Sequence, residues 1–254
     1  AQNVFVGAKV PAALHGASLA GGIKIKNGKL RGVASNGMLC SGGELGITED
    51  FFPNAGVDGI LILPESTPIG VDIKKVVGLD DWVFDISITA NRPDCESILG
   101  MAREVAAILN KKVRQPQQIF SAFETDHNLN VNVLDTENCP LYYATVVDNI
   151  KIEQSPVWLR QRLIKCGVNP INNVVDITNY VLKELGQPMH AFDADMIEGN
   201  EVVVDFCPEG TKFVTLDEVE RTLSASDLMI CNTKEPMCIA GVFGGVKSGV
   251  TEKT

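Results

Sequence analysis

Apolar residues recur along this chain at two different spacings, and the change of spacing divides it. Short apolar runs at 10–14, 23–25, 29–33 and 59–63 stand between Gly-rich stretches and predict short strands joined by turns. Residues 83–89, VFDISIT, alternate with period two and predict a half-buried strand. Asn91-Arg92-Pro93-Asp94 then reads as a turn with proline at a helix start. Ile98, Leu99, Ala102, Val105, Ala106 and Leu109 follow at helical spacing and predict a helix over 96–110. Residues 111–130 are polar without a period, which predicts a linker and a boundary near 115. Further on, strands are expected at 131–134, 142–148, 201–206, 212–216, 228–231 and 238–242. Ser155-Pro156 opens a helix that runs to Cys166 and stops at Gly167. A second helix begins at Asn172-Asn173, either of which can cap it, and carries Val175, Tyr180, Val181 and Leu185 on one face. Gly186 suits its C-terminal stop and Pro188 prevents continuation.

Composition narrows the class. The 254 residues suffice for two domains or one large one, and a 45% hydrophobic share supports a core. No run of about 18 apolar residues occurs, so no membrane-spanning helix is expected. The first residues, AQNVFVGAKVP, lack the layout of a secretion signal and a starting Met, so a piece of a longer protein is expected. The seven cysteines are scattered without a CxxC, which suits reduced cytosolic thiols better than a disulfide frame or zinc site, and a cytoplasmic location is expected.

Charge is uneven. Residues 1–115 balance 12 basic against 12 acidic side chains, and residues 116–254 hold 10 against 20 and so carry the whole net charge of −10. Nucleic-acid affinity rests on phosphate contacts, so any such contact must be local. The local candidate is Lys24, Lys26, Lys29 and Arg31, four cations within eight residues that hold no acid. The same lysines would also serve as a solvated strand edge protected from aggregation.

Few residues suggest chemistry, and each has a plainer reading. His190 lies among apolar neighbours in Met189-His190-Ala191-Phe192-Asp193 and suits a hydrogen-bonded core histidine as well as a reactive one. Thr178, 12 residues earlier, reads equally as a helical threonine bonding back to a carbonyl. Asn179 is of the same kind. Gly244 and Gly245, ending the run Ile239–Phe243, suit a tight turn or a backbone left bare for a ligand. Arg92 and Asp94 read as structural, with Asp94 favouring a helix dipole. No P-loop, GxGxxG, HxGH, KMSKS, GxSxG or zinc pattern occurs, so ATP binding and adenylate formation are not expected of this chain, nor is a metal site.

Four segments taken together are more specific. Residues 30–46 (LRGVASNGMLCSGGELG), 85–109 (DISITANRPDCESILGMAREVAAIL), 155–193 with QPMHAFD near its end, and 239–245 (IAGVFGG) resemble, in order, the bacterial-type phenylalanyl-tRNA synthetase β subunit. The resemblance covers nearly the whole chain. It implies an α+β multidomain fragment: a partial OB-fold β-barrel that binds tRNA over 1–77, a strand-helix part of an interrupted domain over 78–115, and a C-terminally truncated, mixed α/β editing domain over 116–254. It implies that His190 and Thr178 act in hydrolysis of misacylated tyrosyl-tRNA(Phe), with Asn179, Ala240, Gly244 and Gly245 lining the pocket. It also implies an α subunit partner in an α2β2 heterotetramer and tRNA(Phe) as ligand, with no DNA or membrane. ATP and Mg2+ are then needed by the whole enzyme and not by this fragment. In the family, the acidic residue that reads the tyrosine hydroxyl lies beyond Thr254, so the fragment alone is expected to edit poorly. Thr215-Leu216-Asp217-Glu218 stands where the family more usually has an LDG turn. Two other readings remain open: a non-catalytic tRNA-binding scaffold and a freestanding editing protein.

Overall fold

The structure, a computed structural model, describes residues 1–117 and 128–254. Its elements in chain order are β1 (Ala12–Leu14), β2 (Gly28–Leu30), β3 (Val33–Ser35), β4 (Gly37–Leu39), α1 (Gly42–Leu45), α2 (Ile73–Val77), α3 (Ile98–Ile108), β5 (Asn130–Val133), α4 (Val157–Lys165), α5 (Asn173–Leu185), β6 (Glu201–Phe206), β7 (Lys212–Val214), β8 (Glu220–Thr222), β9 (Leu228–Cys231), β10 (Pro236–Ile239) and β11 (Phe243–Gly244). They form two compact units, one from 1–87 with 155–170, the other from 88–154 with 171–254.

The first unit is built from short pieces. β1 pairs antiparallel with β4, and β2 with β3, while Lys24 and Leu63 join by isolated bridges to Ser18 and Lys9. These ladders do not close a barrel among the described residues. Leu30 and Val33 close the β2–β3 hairpin, and Arg31 (φ 50°) and Gly32 (φ 84°) take the positive φ that a two-residue loop of matching twist requires. Ser41 caps α1: its hydroxyl accepts from the Glu44 N–H at 3.2 Å while the Glu44 carboxylate accepts from the Ser41 N–H at 2.7 Å. The core gathers Ile47, Phe51, Phe52, Ala55, Leu61, Leu63 and Val77, with Val157 and Ile164 of α4 against it. Side chains of α4 tie it there. Arg160 donates to the Glu49 carbonyl (3.0 Å), and Gln161 donates to the carbonyls of Phe51 (3.1 Å) and Val77 (2.9 Å).

The second unit holds a five-stranded sheet in the order β11-β10-β9-β6-β5, parallel between β5 and β6 and antiparallel elsewhere. Neighbouring residues of β9 face opposite sides, as a pleated strand requires. Ile230 joins Ile197, Val202, Met237 and Cys238, while Met229 joins Phe213 and Leu223. β7 and β8 form a separate hairpin.

Several expectations are corrected. Residues 83–89 form no strand, and Trp82, Val83 and Phe84 are exposed. Residues 142–148 form no strand either, and Tyr143 is exposed. Alternation supplies a face to bury, but a strand also needs a neighbour for its N–H and C=O groups, and these segments have no ladder among the described residues. The helix expected over 96–110 is shorter, because Pro93 opens a 3₁₀ turn to Glu96 and Ser97 is the true cap, accepting from the Gly100 N–H at 3.0 Å. The strands expected over 212–216 and 238–242 are β7 and β10, ending at Val214 and Ile239. Part of the expected linker over 111–130 lies outside the described residues.

Candidate active site

The segment that carries His190 is placed from both ends. Asn172 accepts from the N–H groups of Val174 (3.1 Å) and Val175 (3.0 Å) and so starts α5. Gly186 ends it in the left-handed conformation (φ 77°), and its N–H returns to the Leu182 carbonyl. Beyond His190, Phe192 bridges to Gly249 and the Asp193 N–H donates to the Ser248 carbonyl at 3.1 Å. The buried Asp193 carboxylate accepts from Thr254 Oγ1 at 2.7 Å and from the Asp195 N–H at 3.1 Å.

These ties lay the imidazole against Gly244. A Cβ on residue 244 would sit 2.3 Å from His190 Cε1 and 2.8 Å from Nε2, so only a hydrogen fits. Phe192 meets the imidazole edge to face, with centroids 4.5 Å apart at 66°. Leu216 Cδ1 lies 3.1 Å from the same Cβ position. His190 is an exposed residue by surface area, yet the protein packed around its ring desolvates the imidazolium and holds the His190 pKa below its ordinary value. Desolvation therefore disfavours the charged form of the ring.

Gly244 and Gly245 are both buried in a tight corner of backbone. The Gly244 carbonyl accepts from Leu216 N–H (2.9 Å), and the Gly245 N–H donates to Met237 (2.8 Å). A Cβ on Gly245 would meet the Phe213 ring at 2.7 Å. The space that Gly244 leaves is filled by His190 itself.

The other expected site residues make contacts of their own. Thr178 is half-buried on α5 and its hydroxyl donates to the Val175 carbonyl at 2.7 Å, the back-bond that a helical threonine makes. Asn179 is half-buried beside it. Ala240 packs on the Ile197–Met237 cluster and donates its N–H to Leu228 (2.9 Å). Lys24, Lys26, Lys29 and Arg31 are all exposed, on or just before the β2–β3 hairpin in the other unit, and no ion pair engages them among the described residues.

One group beside the site was not foreseen. Buried Thr215 bridges to Gly245, and its hydroxyl donates to Asp217 at 2.5 Å. Arg221 donates from Nε to Thr215 Oγ1 (3.0 Å) and from Nη2 to Asp217 (2.7 Å), and its guanidinium lies 6.0 Å from the Phe243 ring. The Thr215 hydroxyl, above all, holds the Asp217 carboxyl below its usual range. The i, i+4 spacing of Asp217 and Arg221 was the available signal, but it spans a turn and a strand and not a helix. Elsewhere, Asp94, Cys95 and Glu104 bring possible metal ligands within 4.8 Å, but Arg92 already pairs with both carboxylates, at 2.8 and 2.5 Å.

Residues 138–254 match the B3/4 domain family. The whole chain is similar to phenylalanine–tRNA ligase β subunits: 51% identical to that of Clostridium acetobutylicum, over 100% of this chain and 32% of the relative. It is 48% identical to the Clostridium tetani subunit, over 96% of this chain and 31% of the relative, and 46% identical to the Syntrophus aciditrophicus subunit, over 100% and 31%. The chain spans about a third of the length of these relatives. These matches define a B3/4 domain in the C-terminal half. They place the chain in the phenylalanine–tRNA ligase β-subunit family, as one region of such a subunit. No helix among the described residues is long and apolar enough to cross a membrane.

Proposed function

We propose that the parent protein is the β subunit of a cytoplasmic phenylalanine–tRNA ligase, and that residues 116–254 supply its hydrolytic editing of tyrosyl-tRNA(Phe). The observation that carries this reading is the His190 imidazole held against Gly244 inside the B3/4 match. Tyrosine differs from phenylalanine by one hydroxyl, and an apolar pocket rejects such an addition by only about 10²-fold, so a second site that destroys the wrong ester is of use. The ester is already activated. His190 needs only to orient a water, accept its proton as the water oxygen attacks the carbonyl, and return that proton to the ribose oxygen as the ester C–O bond breaks. Thr178 and Asn179 on α5, with Ala240, Gly244 and Gly245, form the wall of this pocket in our reading.

The N-terminal residues 1–77 are an OB-type tRNA-binding part and 78–115 belong to the domain it interrupts. Lys24, Lys26, Lys29 and Arg31 meet tRNA phosphates, a role that their exposure and their lack of ion pairs among the described residues support. An α subunit, in an α2β2 assembly, performs phenylalanine activation with ATP and Mg2+. The test is tyrosyl-tRNA(Phe) deacylation by the assembled ligase, intact and with His190→Ala. Slower loss of tyrosine with phenylalanylation retained supports the reading. Equal rates would overturn the role of His190, and no deacylation by either enzyme would leave a tRNA-binding scaffold.

A further inference from the structure

All seven cysteines are free thiols, and among the described residues only Cys207 and Cys231 bring two sulfurs into contact, 4.0 Å apart. Cys231 ends β9 opposite Val203 of β6, whereas Cys207 lies one residue beyond the last ladder pair, Phe206 with Leu228. The two side chains therefore meet over the sheet face that packs Phe213, Leu223 and Met229, and not across a ladder rung. Both are only partly buried. Closing this contact to a bond of about 2.05 Å takes a shift of roughly 2 Å, and Cys207 lies outside the ladder pairs that would resist it.

We propose that Cys207 and Cys231 form a two-thiol modification site that closes to an intramolecular disulfide by exchange with a low-molecular-weight disulfide such as oxidised glutathione. The Cys207 thiolate attacks one glutathione sulfur, forming a mixed disulfide and expelling one glutathione thiolate. The Cys231 thiolate then attacks Cys207 Sγ and expels the second. Two protein thiols lose two protons and two electrons, and oxidised glutathione becomes two reduced glutathiones. Either sulfur can donate across the contact, and burial raises both thiols, pushing Cys231 up to about 12, so Cys207 attacks first. Burial raises Cys207 as well, so the site reacts more slowly than exposed Cys166. The loop so closed contains the β7–β8 hairpin and Thr215, which rest on the Gly244-Gly245 corner.

The folded 254-residue chain is incubated with oxidised glutathione, alkylated and digested, and its peptides are weighed over time. Glutathione is expected on Cys166 first, followed by a Cys207–Cys231 cross-linked peptide, with circular dichroism unchanged. In Cys231→Ser, glutathione stays on Cys207; in Cys207→Ser, Cys231 remains alkylatable. The proposal is overturned if both cysteines still alkylate long after Cys166 is consumed, if either pairs elsewhere, or if the linkage forms only in urea.

Discussion

His190 and Gly244 are in mutual contact, so close that the place of a Cβ on residue 244 lies 2.3 Å from the imidazole Cε1. Gly244 has no positive φ, so the requirement for glycine there is steric and not conformational. Gly244→Ala must push the ring away. We expect an overpacking loss of about 1–3 kcal/mol in denaturant unfolding. The His190 imidazole shifts in the NMR spectrum should move with it. Unchanged shifts would show that the ring yields without leaving its place.

The same contact sets a pH dependence. Desolvation lowers the folded-state His190 pKa below the 6.5 of the free side chain. Between the two values the unfolded chain binds the extra proton, so stability rises with pH across that window and is lost as pH falls through it. His190→Gln should flatten the slope of unfolding free energy below pH 6.5, and a direct NMR titration should place the midpoint on the acid side of it. A midpoint above 6.5 would contradict the desolvated setting.

Glu218 holds φ 61° in the turn after β7, a conformation that penalises any side chain. The backbone bond from its N–H to the Thr215 carbonyl (2.8 Å) does not depend on the side chain. Glu218→Gly should raise stability by up to about 1 kcal/mol, the left-handed penalty less the entropy glycine adds to the unfolded chain. Differential scanning calorimetry would show it as a higher Tm, and a fall would mean that the carboxylate has a partner.

Replacing Lys24, Lys26, Lys29 and Arg31 by alanine should weaken tRNA binding by the parent subunit and flatten its salt dependence. Each lost phosphate contact lowers the slope of log K against log salt by about 0.7–0.9. Filter binding at several salt concentrations reads both effects. An unchanged slope would leave the cluster as a solvated hairpin edge.

The start of α5 at Asn172, its stop at Gly186, and strands β6 and β9 were legible in sequence, because caps and periodicity act within a few residues, whereas α4 starts at Val157 after Pro156 and not from a Ser155 cap. The segments that hold His190 and Gly244 were legible too, through their resemblance to a known family. Their contact was not, since 54 residues separate them and the bridge of Phe192 to Gly249 brings them together. The strands expected at 83–89 and 142–148 failed for a related reason: alternation records a face, while a ladder requires a partner that sequence does not name.

The sequence by itself determined the family, the cap and stop of α5, the acidic C-terminal half and the basic run at 24–31, since these depend on residue type and near neighbours. Only the tertiary structure decided that the bare Gly244 makes room for an imidazole, that α4 packs with the N-terminal unit, and that Cys207 meets Cys231. Each of these is a close approach between distant parts of the chain, settled by packing and not by any local preference.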